Sequence, residues 1–86
     1  MTAEEIKKVI EAAVPQAAAY VSDPNNDGEH FQALVVSPVF EGIMLVKQHQ
    51  MVMKALKAAF AQSVHALALK TFTPQSWEKV KNQYKV

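Results

Sequence analysis

The chain has no cysteine and no arginine, and only two glycines among its 86 residues. Without cysteine there is no disulfide framework, no redox pair and no thiolate-rich metal site that the chain could build alone. Without arginine the bidentate grip on guanine or phosphate is missing, because all nine basic side chains are lysines. Eight acidic residues leave a net charge of +1, so strong nucleic-acid recognition starts at a disadvantage. Long apolar runs are lacking as well. No window approaches the roughly 18 apolar residues of a membrane span, and the opening MTAEEIKK has no apolar signal core, so a cytoplasmic location is expected. A catalytic set is also missing: Ser37, Ser63 and Ser76 have no GxSxG or comparable context, and the acids fall in expected first turns, loops and solvated faces. The chain is therefore expected not to be an enzyme.

What is present suits one small domain over residues 1–86, with half of the residues apolar. The stretch from His30 to Met53 organises it. HFQALVVS reads as a strand, with Phe31, Ala33 and Val35 on one face and Leu34 and Val36 on the other, so it should be central and covered on much of both faces. Pro38 ends it, since proline gives no amide hydrogen to a ladder and pushes Ser37 away from helical dihedrals. Beyond Gly42 the apolar period changes to 3.6, placing Leu45, His49, Val52, Met53, Leu56, Ala59 and Phe60 on one stripe of a helix that reaches about Gln62.

Around this unit, Thr2 and Glu5 have capping-box spacing, and Ile6, Val9, Ile10 and Ala13 mark a first helix from Ala3 to Ala13, stopped by Pro15. A short strand from Ala17 to Ser22 follows. The turn-rich Asp23-Pro24-Asn25-Asn26-Asp27-Gly28 cluster then makes an exposed, mobile loop. After the central helix, VHALALKT alternates as a third strand, and Thr73-Pro74 caps a last helix that buries Trp77, Val80 and Tyr84. The order αββαβα, with a short extra turn around Val39 and Phe40, gives an α+β fold of two layers with helices on one face of a three-stranded sheet. Phe31, Val35, Val52, Leu56, Phe60, Leu67, Leu69 and Trp77 are the expected core.

Three histidines remain as candidate functional groups. His49 lies inside the apolar stripe and reads as a structural histidine. His30 and His65 stand at strand starts, where imidazoles can be accessible. Two histidines are too few to close a tetrahedral site, so a metal bound by them would be shared with a second molecule; a surface His30 and a strand-capping His65 explain the same positions with no metal. Lys47, Lys54 and Lys57 share one side of the central helix, next to Met44 and Met51. That side is either a solvated face or a partner-facing or phosphate-attracting surface.

Taken together, Ser37-Pro38-x-Phe40-Glu41-Gly42, His49-x-x-Val52, and His65-Ala66-Leu67 leading to Lys70-Thr71-x-Thr73-Pro74-x-x-Trp77 closely resemble the BolA-like family. The resemblance runs from about Glu4 to Trp77. Gln48 stands where the family commonly has arginine, and Ile43-Met44 is less polar than the usual pattern. The resemblance implies a fold similar to class II KH domains, although Glu41-Gly42-Ile43-Met44 is not the GxxG that clamps a nucleic-acid backbone. It also implies pairing with a monothiol glutaredoxin and a two-iron, two-sulfur cluster held between the two proteins. His30 matches the histidine of the loop subtype and His65 the family's strand histidine. Glutaredoxin cysteine and glutathione would then supply thiolates and this chain imidazoles, a Rieske-like division. BolA-like proteins are also described as DNA-binding transcriptional regulators, the alternative expectation for this chain.

Overall fold

The computed structural model describes residues 2–60 and 66–84. Helix α1 (Ala3–Ala13) begins with the expected capping box: the Thr2 hydroxyl accepts from the Glu5 N–H at 3.1 Å, and the Glu5 carboxylate accepts from the Thr2 N–H at 2.8 Å. Two of the helix's orphan amides are thereby satisfied. Strand β1 (Ala18–Ser22) runs antiparallel to β2 (Phe31–Val36), and β2 runs parallel to β3 (Leu67–Phe72), so β2 is central. A parallel pair needs a long crossover. Helix α2 (Leu45–Phe60) supplies it, preceded by a 3-10 turn at Pro38–Phe40, and α3 (Pro74–Val80) follows β3. The α+β fold and the order of elements are those read from the sequence.

Strand alternation decides which side chains α1 and α2 cover. Phe31, Ala33 and Val35 of β2 pack with Ala19 of β1, Ile6, Ile10 and Val14 of the first helical segment, Phe40, and Val52 and Leu56 of α2. Phe60, Leu67 and Leu69 are only partly buried against this cluster. Ser37 is buried at the strand exit, where its hydroxyl donates to the Pro15 carbonyl at 2.6 Å and accepts from the Val39 N–H at 3.2 Å. One side chain thus ties the end of α1 to the 3-10 turn. The following reversal puts Gly42 at φ +75°, a dihedral that costs other residues strain.

Two expectations need correction. Leu45 is 59% exposed although it lies on the same side of α2 as Val52 and Leu56, and Ala59 is exposed at the far end. The helical phase is right, but the start of α2 runs past the core, and at its far end Phe60 rather than Ala59 packs on it. Trp77 is buried as expected, yet it belongs to a second cluster on the opposite face of the sheet. There it stacks on Tyr20 at 5.4 Å and Tyr84 at 5.7 Å between ring centroids and tilts against Phe72. Tyr20 and Phe72 alternate away from the Ala19 and Leu69 side, so α3 does not share the face of α1 and α2.

β1 is an edge strand, a liability unless its free backbone groups are occupied. At Ala19 they are: the N–H donates to the Glu11 carboxylate at 3.0 Å, and the carbonyl accepts from Lys7 at 3.1 Å. Lys7 also bridges Glu11 at 2.6 Å. These bonds hold the Glu11 carboxyl below its ordinary value, the Lys7 hydrogen bond contributing most.

Candidate functional site

The connection from β1 to β2 is built by carboxylates that satisfy backbone amides. Asp23 accepts from the Asp27 N–H at 3.3 Å and the Gly28 N–H at 2.8 Å, and its carbonyl accepts from the Asn26 N–H at 3.0 Å. Asn26 and Gly28 take the left-handed dihedrals that such a tight path needs, at φ 52° and 69°. Asp27 repeats the device one step on: its Oδ1 accepts from the Glu29 N–H at 2.9 Å and the His30 N–H at 3.0 Å. Its Oδ2 lies 2.8 Å from His30 Nδ1. The loop is exposed, as expected from its turn residues, but laced by these bonds.

At the end of the loop the His30 side chain keeps 57% of its exposure. Backbone donors and the His30 ring hold the Asp27 carboxyl far below its usual range, the Glu29 amide contributing most. The paired Asp27 carboxylate in turn raises His30 above the ordinary imidazole value, chiefly through their hydrogen bond. Ligand atoms of Asp27, Glu29 and His30 lie within 4.8 Å of one another. The composition of the loop announced turns. Asp27's spacing of three from His30 was the available clue to the pair.

His65 lies outside the described residues. Its neighbour Ala66 accepts the Phe31 N–H at 2.8 Å, so the chain approaches β3 beside the start of β2, one residue after His30. His49 is half-buried on α2, and no hydrogen bond joins its ring to another described residue. The buried polar residue of α2 is instead its neighbour Gln48, which the sequence marked only as a departure from arginine. Gln48 donates to the carbonyls of Phe40 at 3.1 Å and Ile43 at 2.8 Å, and its Oε1 accepts from the Thr71 hydroxyl at 2.6 Å. It fastens the turn before α2 and the strand β3 to the helix, and it is not positioned to meet an anion in solvent.

Lys47, Lys54 and Lys57 line one groove of about 880 Å³ with Ile43, Gln50, Met51 and Met53. Met51 is half-buried against the core, whereas Met44 at its side of the helix start is 71% exposed, followed by exposed Leu45 and Val46. The expected lysine face therefore exists, and its floor is apolar. Among the described residues no helix is long and apolar enough to cross a membrane.

Three helices on a mixed three-stranded sheet, with an exposed loop imidazole and a lysine-edged groove, define a small α+β domain. The chain belongs to the BolA-like family: residues 5–76 match the family described as BolA-like protein. It is similar to the acid stress protein IbaG of Escherichia coli K12, with 34% identity over 80 residues that span 92% of each chain. Similarity extends to the DNA-binding transcriptional regulator BolA of the same organism, at 32% identity over 85 residues, 91% of this chain and 81% of that one. Among solved structures, a BolA homologue from Coxiella burnetii superposes with a TM-score of 0.76 at 35% identity, over 91% of this chain and 97% of that one.

Proposed function

We propose that the chain is a non-enzymatic adaptor in iron-sulfur cluster assembly or trafficking, holding a two-iron, two-sulfur cluster jointly with a monothiol glutaredoxin. The observation that carries this reading is His30: an exposed imidazole, fixed at one ring nitrogen by Asp27, on a chain that has no thiolate of its own. Imidazole nitrogen is a sound iron ligand, and two of them suffice when the partner brings sulfur ligands. His30 and His65 are the residues that would hold one iron, and glutaredoxin cysteine and glutathione the other. When bound, the cluster would supply electron storage at a potential raised by neutral imidazole ligands. The chain's own part is to present imidazole to the cluster, and the exposed His30 ring suits transfer to a client.

The test is anaerobic reconstitution of the chain with a monothiol glutaredoxin, glutathione, iron and sulfide, followed by visible spectroscopy. His65→Ala should abolish the histidine-ligated spectrum, and His30→Ala should weaken or alter it. A spectrum unchanged in the variant lacking both histidines would sink the shared-cluster reading.

A second reading is a DNA-binding transcriptional regulator of stress response or cell morphology. It draws on the relative so described and on Lys47, Lys54 and Lys57 along a single groove. With lysine alone and a charge of +1, affinity would rest on a few phosphate contacts and fall steeply with salt. Specific binding at about 10⁻⁸ M or tighter in physiological salt would favour this reading over the adaptor.

A further inference from the structure

We propose that Asp27 is a positioning residue for His30: its carboxylate fixes the imidazole as the Nδ1–H tautomer and leaves Nε2 as the ring nitrogen offered to a metal. The metal-facing half rests on the shared-cluster reading above; the tautomer half does not.

A carboxylate is acceptor-only, so the 2.8 Å approach of Oδ2 to Nδ1 requires the ring to donate there. Protonation at Nδ1 leaves the lone pair of a neutral imidazole on Nε2, across the ring. Among the described residues nothing bonds Nε2, and the side chain is exposed. The carboxylate itself is not free to rotate away, because its other oxygen accepts two backbone amides, those of Glu29 and of His30 itself. Asp27 thus grips both the backbone and the ring of the same histidine. Asp23 contributes from behind, holding the Asp27 and Gly28 amides without touching the ring. A carboxylate that holds the far nitrogen of a metal-binding histidine fixes ring orientation and raises ligand basicity, and losing such a partner typically costs about 10- to 100-fold in metal affinity.

The experiment has two arms. In the isolated chain, nitrogen–proton correlation spectra recorded where the ring is neutral read the tautomer directly. The Nδ1–H form should dominate for His30, persist in Asp23→Ala, and give way to the Nε2–H form in Asp27→Ala. A role confined to loop structure would make the two variants behave alike. In the reconstituted complex, Asp27→Ala should retain a cluster but release it about 10- to 100-fold more readily, with a shifted reduction potential. An Nε2–H tautomer in the unmodified chain overturns the proposal, as does an Asp27→Ala variant with unchanged tautomer and cluster retention. If the unmodified chain assembles no cluster, the shared-cluster reading fails and takes the metal-facing half with it, while the tautomer still decides the Asp27–His30 half.

Discussion

Between α1, α2 and the sheet, Ile6, Ile10, Ala33, Val35, Phe40, Val52 and Leu56 are fully enclosed, whereas every residue from Pro24 to His30 is exposed. The first region is held by removal of apolar surface from water, a force without direction that tolerates few changes in volume. The second has no apolar surface to bury and is held by two aspartates that accept backbone amides. The difference separates stability from function. Damage to the core should lower stability and leave the loop unchanged in the molecules that stay folded, while damage to Asp27 should change His30 and barely move the unfolding midpoint.

The sharpest way to break that contrast is in the core. Leu56→Ala should cost about 2–5 kcal/mol, as large-to-small changes at enclosed sites do, and denaturant titration reads it. An unmoved midpoint would mean that Leu56 is not enclosed. Gln48→Ala comes next. It would strip partners from the Phe40 and Ile43 carbonyls and the Thr71 hydroxyl, costing about 1–3 kcal/mol for the buried groups left unsatisfied. Replacement by arginine tests the same point from the other side, because a guanidinium has donors for the two carbonyls but no acceptor for Thr71.

Gly42→Ala should cost about 1–2 kcal/mol, a purely conformational loss, since open space surrounds the position where a Cβ would sit. The smallest effect belongs to Glu11, a part-exposed group at the rim of the core. Its folded pKa lies below the ordinary 4.5, so its contribution is complete above that value and is lost as pH falls through the depressed folded value. Glu11→Gln should therefore lower stability slightly at neutral pH and flatten the acid limb of a stability-versus-pH curve. An acid limb identical in the variant would mean that the Glu11–Lys7–Ala19 bridge adds no stability.

The sequence makes much of this architecture legible because local signals agree with one another. Thr2 with Glu5, Pro15, Ser37-Pro38 and Thr73-Pro74 each mark a boundary by their own backbone chemistry, and the structure places caps or breaks at all of them. What periodicity could not supply is extent along an axis: Leu45 has the right angle on α2 but lies beyond the packed surface. Nor could it choose between two faces of a sheet whose central strand is apolar on both, which is why Trp77 is found against Tyr20 and Phe72. Gln48 escaped because a buried amide carries no apolar signature, and the donor to its Oε1, Thr71, comes from a strand distant in sequence. At the candidate site, His30 was visible as a residue type at a strand start. The Asp27 contact depends on the left-handed turns at Asn26 and Gly28, which composition permits but does not specify.

In the proposed function, histidine nitrogen from this chain reaches the iron of a cluster shared with a glutaredoxin. The most direct measurement is pulsed electron paramagnetic resonance on the reduced mixed complex, with nitrogen isotope labelling confined to this chain. Strong nitrogen coupling that changes with the label, and is lost when His30 and His65 are both replaced by alanine, is the predicted result. A cluster signal with no strong nitrogen coupling, or with coupling indifferent to the label, would contradict it.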